Sequence, residues 1–193
     1  MLDHCGIKSG PEHQQTAPHH TMLLATELIL TITRQLPINR RGLHGLAHWA
    51  RVYENGRRLA ERTGAAPEVV ALFALFHDSR RFNEHADPEH GPRGAMLAEQ
   101  LRGTSFQLDD EPFALLLTAC RLHTGARTHE NITVQTCFDA DRLDLGRIGK
   151  TVDPQFLCTQ AARNPQIIEW ATAQSIAAII PENVIGNTLR SLE

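Results

Sequence analysis

Residues 69–76 read VVALFALF, eight apolar side chains without a polar break, and the next two are His77 and Asp78. No other feature of the chain constrains its fold as strongly. A surface helix shows a single apolar stripe and a half-buried strand alternates, whereas a segment apolar on every side must be enclosed by other elements. Pro67 sits where a first helical turn accepts proline, so the run is expected to be a central helix ending near His77. Its end then poses an electrostatic problem. A carboxylate carried inward by such a helix costs on the order of several kcal/mol to desolvate unless a cation or a metal meets it.

The rest of the chain supplies the enclosure. Apolar residues recur at helical spacing over 21–35 and 46–62, the latter stopping at Thr63-Gly64, and further helices are expected at 92–101, 111–122, 132–141, 154–163 and 165–180. Nothing pairs as a period-2 hairpin and no internal repeat is present. The expected fold class is therefore all-α, a single-domain helical bundle over residues 21–193. Residues 1–20 carry His4, His13, His19 and His20 among Gly, Pro, Gln and Ser, and are expected to form a flexible N-terminal arm.

Charge and cysteine usage exclude several classes of function. A formal charge of -3 with no block of Lys or Arg argues against a nucleic-acid polymer as partner. The longest apolar run is eight residues, far short of the roughly 20 that cross a bilayer, so no membrane association is expected. Four cysteines without C-x-x-C spacing read as reduced thiols of a cytoplasmic protein. Oligomeric state, including a homo-oligomer, is left open.

The histidines and aspartates carry the chemistry. A lone His-Asp pair at a helix end is weak evidence, because the helix dipole alone favours histidine there. Here, however, His44 and His48 lie four apart, His90 opens HGPRGAMLAEQL, His123 closes ACRLHTG, and Asp139, Asp141 and Asp144 crowd CFDADRLDLG. Imidazole nitrogen and carboxylate oxygen with no thiolate suit a divalent transition metal, Fe, Mn, Co, Ni or Zn, with Mg also admitted, as one ion or two. His85 and His129 fall in polar loops, Trp49 and Tyr53 at core spacing, and Cys137 has no partner that would stabilise a thiolate.

The order His48, His77-Asp78, Asp141 resembles the H…HD…D signature of the HD-domain superfamily of helical metal-dependent phosphohydrolases. With EHGPRGA at His90 and ACRLHTG at His123, the chain is similar to the H…HD…H…H…D members that hold two metals, over roughly residues 43–163. The resemblance implies His48, His77, Asp78 and Asp141 as ligands of one ion, with Asp78 bridging to a second ion held by His90 and His123. It selects Asp141, directly before an arginine, over Asp139 and Asp144, and leaves Asp144 as a partner for Arg142 or Arg147. No GYP motif follows the histidines, and Ser79, Arg80, Arg81 and Phe82 stand where alarmone hydrolases carry two acids.

The implied activity is hydrolysis of a small phosphorylated metabolite, most simply a nucleotide, by attack of a metal-activated hydroxide, as a phosphatase or phosphodiesterase. Asp78 and Arg81 are the expected catalytic residues, and Arg81, Arg142 and His44 the expected substrate contacts. Arg80 is expected beside the metals as well. Two other readings fit the same residues: a di-iron oxygenase of the same superfamily, and a non-catalytic ligand-binding module that contains a metal.

Overall fold

The structure, a computed structural model, describes residues 25–192. The arm expected at 1–20, and residues 21–24 of the first helix, lie outside them. The described residues form α1 (Thr26–Thr33), α2 (Leu46–Thr63), α3 (Pro67–Phe76), α4 (His90–Leu101), α5 (Asp110–Leu122), α6 (Ile132–Arg142), α7 (Pro165–Ile176) and α8 (Val184–Ser191), with 3-10 turns at Leu145–Ile148 and Pro154–Phe156. No strand occurs among them. The fold class is all-α, as the periodicity requires.

The apolar run forms the central helix. Pro67 opens α3, Glu68 lies in its first turn, and every residue from Val69 to Phe76 is buried. Helices α2, α4, α5 and α6 pack around it. Helix α2 is amphipathic, burying Trp49, Val52 and Leu59, and it stops at Gly64, whose φ of +73° and N–H bond to the Ala60 carbonyl end the helix in a left-handed cap. Helix α6 starts on Asn131, whose side chain accepts the Thr133 N–H at 2.8 Å. Three helix ends thereby meet the core with polar groups: His77 at the close of α3, His123 at the close of α5, and Asp141 in the last turn of α6.

Four expected elements differ, the first of them by ending at Thr33 rather than at residue 35. The helix expected at 92–101 begins two residues earlier, at His90, which places that imidazole in the first turn of α4. The helix expected at 154–163 is only a 3-10 turn, because the buried Asp139 carboxylate accepts the Cys158 N–H at 2.6 Å and the Thr159 N–H at 2.7 Å. Donors captured that way cannot extend a helical ladder. The helix expected at 165–180 ends at Ile176, and Ala178 follows with a φ of +50°. Helix α8 was not anticipated; Asn183 caps it by accepting the Gly186 N–H at 3.0 Å, and Ile185 and Leu189 bury its one apolar face.

Candidate metal centre

Helices α2, α3, α4, α5 and α6 each deliver at least one ionisable side chain to a single buried space. His48, His77, Asp78, His90 and His123 are all below 7% exposed, and Asp141 joins them from the last turn of α6. Glycines permit the approach of the elements. A Cβ on Gly94 would lie 2.1 Å from the Phe76 carbonyl, and one on Gly91 would lie 2.2 Å from the Cys120 carbonyl and 3.1 Å from the His123 ring. Only glycine lets α4 lie this close to the ends of α3 and α5.

Each of the four imidazoles is held from behind through Nδ1. His48 Nδ1 meets Asp144 Oδ2 at 2.7 Å, His77 Nδ1 the Phe73 carbonyl at 3.0 Å, and His123 Nδ1 the Cys120 carbonyl at 2.8 Å. His90 Nδ1 meets the Asp87 carbonyl. Carbonyl and carboxylate oxygens only accept, so Nδ1 must carry the hydrogen in every ring and Nε2 is left for the interior. The Nε2 atoms then converge in pairs, His48 with His77 at 3.1 Å and His90 with His123 at 2.8 Å. Two lone pairs at such a distance repel unless a proton or a metal cation lies between them.

Asp78 stands between the two pairs and presents one oxygen to each. Its Oδ2 is 3.5 Å from His48 Nε2 and 3.6 Å from His77 Nε2, and its Oδ1 is 3.0 Å from His90 Nε2 and 4.0 Å from His123 Nε2. Asp141 Oδ1 lies with the first pair, 3.4 Å from His48 and 3.9 Å from His77. The donor set therefore divides into two groups that can hold metal ions, His48, His77 and Asp78 with Asp141 beside them, and Asp78, His90 and His123. Buried imidazoles, each hydrogen-bonded behind by a carbonyl or carboxylate, are the arrangement that orients metal ligands.

The electrostatics agree with a site built for positive charge. Burial and Arg147 act downward on His48, but hydrogen bonds to Asp141, Asp144 and Asp78 outweigh them and raise it to about 9. A proton there does what a cation would do. His77, with desolvation dominant, is lowered to about 3 and stays neutral, and burial likewise lowers His123. Desolvation opposes ionisation of Asp78 and Asp141, yet the surrounding imidazoles hold both below the usual carboxylate range.

The remaining expected residues fall into three places. Arg81 is buried beside the second group, with Nη1 3.4 Å from Asp78 Oδ1 and 3.4 Å from His90 Nε2, and the Asn83 and His85 carbonyls accept from its other nitrogens. His44 borders the first group, its ring edge-on to His48 and its Nδ1 2.6 Å from Glu84 Oε2. Arg142 points away and donates to the Ala126, Arg127 and Phe156 carbonyls. Arg80 likewise faces outward and donates to the Gln35 carbonyl. Neither Arg142 nor Arg80 meets the cluster, because successive helix or turn residues project in different directions.

Asp144 meets expectation in part. Arg147 is a partner, its Nε 3.8 Å from Oδ2 and its Nη1 donating to the Asp144 carbonyl at 3.0 Å, whereas Arg142 is not; the closer side-chain partners are His48 and Arg51, whose Nε and Nη2 reach the two carboxylate oxygens at 2.7 and 3.2 Å. Sequence reasoning missed Arg51 altogether; the one available sign was an arginine on the His48 face of α2. Asp139, by contrast, lies outside the cluster and serves the 158–159 backbone.

Comparison with known proteins points one way. The HD domain family model matches residues 45–146. A crystal structure from an uncultured Thermotogales bacterium, described as a predicted HD superfamily hydrolase, is similar at 25% identity and a TM-score of 0.59, covering 86% of this chain and 92% of that one. No curated protein matches the sequence.

Proposed function

Given that the chain belongs to the HD-domain family, we propose that it is a metal-dependent phosphohydrolase acting on a small phosphorylated metabolite, most simply a nucleotide. The observation that carries this reading is the division of Asp78, one oxygen toward His48 and His77 and the other toward His90 and His123. His48, His77, Asp78 and Asp141 would hold one divalent ion, and Asp78, His90 and His123 a second. Such ions supply Lewis acidity and lower the pKa of water, which is what hydrolysis of a phosphate ester at neutral pH requires.

The chain's own groups do the rest. Arg81 keeps a guanidinium fixed beside Asp78, positioned to neutralise charge spreading over phosphoryl oxygens. Its planar donors suit a phosphate better than a lysine would. His44, with Nδ1–H committed to Glu84, leaves Nε2 as an acceptor for a substrate hydroxyl. Thr124 Oγ1, 3.2 Å from both His90 and His123 Nε2, limits the space on the second side.

The test is metal analysis of the purified protein, followed by phosphatase and phosphodiesterase substrate panels with Mn, Co, Zn or Fe added. Release of phosphate or of a phosphomonoester supports the reading, and Arg81→Ala should then lower kcat or raise KM with metal retained. Oxygen consumption by iron-loaded protein without hydrolysis of any panel member would replace it with the oxygenase reading.

A further inference from the structure

Behind the metal centre, on the side of α2 that faces α7 and α8, lies a cavity of about 380 Å³. We propose that it is a second ligand site, for a small uncharged planar ring that carries an N–H donor. Asn55 provides the first argument. It is 3% exposed, and its Nδ2 donates to the Ala140 carbonyl at 3.0 Å. Its Oδ1 has no hydrogen-bond partner among the described residues, yet no fully buried polar side-chain atom among them lacks one. Oδ1 is therefore not fully enclosed, and Asn55 lines the cavity. A nearly buried acceptor left unpaired beside a cavity favours a ligand that brings a donor.

Charge and shape set the class of ligand. The lining guanidinium groups of Arg51, Arg58 and Arg190 are balanced by Glu54, Glu182 and the Asp144 carboxylate behind Arg51. These three positive and three negative charges sum to zero, so the wall gives no net attraction to a ligand charge of either sign. The walls include flat groups: the Arg58 guanidinium stacks 4.1 Å from the centroid of the Trp170 indole, and both line the cavity, so a ring would pack on the edge or outer face of this stack. The volume accommodates one or two fused rings.

The site shares a residue with the metal centre. Arg51 gives Nη1 to the Ile179 carbonyl in the cavity wall at 3.1 Å and its other nitrogens to Asp144, which in turn holds His48. A ring seated against the 179–182 wall therefore acts on the metal centre through one buried side chain.

The experiment is titration of the full chain with adenine, cytosine and nicotinamide, with phosphate and methylammonium as charged comparators. Trp170 lines the cavity and Trp49 does not, so an emission change that is lost in Trp170→Leu reports the site. At least one neutral ring should bind with a dissociation constant at or below about 1 mM, change the emission, and lose roughly tenfold in calorimetric affinity in Trp170→Leu. Asn55→Ala should weaken binding similarly. Because Asn55 also supports α6, Gln174→Phe, which fills the cavity from α7, serves if that variant fails to fold, and it should abolish binding. Binding of Mn²⁺ and of the ring should alter each other's affinity by the same factor. The site is refuted if no ring binds, if only phosphate or methylammonium binds, or if the variants leave affinity unchanged; an unaltered Mn²⁺ affinity refutes the coupling.

Discussion

Asp144 and Arg51 form a buried ion pair whose two halves serve different ends. Asp144 fixes the His48 tautomer and Arg51 compensates its charge, both at the low exposure where losing one partner costs about 3–5 kcal/mol. Asp144→Ala should therefore lower the melting temperature by roughly 10 °C, given about 2–4 °C per kcal/mol for a chain of this size, and also weaken metal binding about 10–100-fold. The double variant Asp144→Ala with Arg51→Met separates the two roles. It removes the unpaired charge, so stability should largely return in thermal melts while metal affinity by calorimetry stays low; a full recovery of both would deny Asp144 any part in holding His48. The thiols give a second residue-scale outcome. Burial pushes Cys120 and Cys137 well above the usual thiol range, and Cys158 is raised less and is only partly covered. Iodoacetamide should label Cys158 in the native protein and reach Cys120 and Cys137 only after denaturation, as peptide mapping would show.

Between the elements, glycine governs how α4 meets its neighbours. Gly91→Ala and Gly94→Ala would each gain about 1 kcal/mol of helix propensity, but the new methyl would press on the Cys120 or Phe76 carbonyl, and backbone cannot yield as a side-chain tip can. Both should be net destabilising, by about 1–3 kcal/mol in denaturant melts. Gly91→Ala has a further effect: it moves His90 away from His123, so the metal stoichiometry should fall by one while the His48 group keeps its ion. An unchanged stoichiometry would show that the second group does not bind independently. These contacts also explain what was legible beforehand. Gly64 marks the close of α2, Pro67 the start of α3, and the apolar patterns before His77 and His123 the close of α3 and α5, whereas the grouping of the six clustered residues comes from the resemblance to the HD-domain superfamily. Arg51 and Asp144 lie 93 positions apart, with nothing in the sequence to mark Arg51, and the short 154–156 turn depends on a carboxylate supplied from α6. Such long-range hydrogen bonds leave no periodic trace, and the neighbour in sequence, Arg142, was a misleading substitute for the neighbour in space.

At the scale of the whole molecule, the cluster brings α2, α3, α4, α5 and α6 together through polar groups, and it lies against the larger apolar core of the described residues. Without a cation the convergence of Nε2 atoms and carboxylates is a cost borne by packing elsewhere; with one it becomes a cross-link among five helices. Ligand that binds only the folded state stabilises it by RT ln(1 + [L]/Kd), about 2.7 kcal/mol at one hundred times Kd. Chelator-stripped protein should therefore melt about 5–10 °C higher once Mn²⁺ or Zn²⁺ is supplied at that excess, with helical content below the transition unchanged because the core of α3 does not depend on the ion. Asp78→Ala, which removes the carboxylate common to both groups, should keep its far-ultraviolet circular dichroism and lose the shift. If that variant gains as much as the native chain, the stabilising metal sits elsewhere, and the convergence of these side chains needs another explanation.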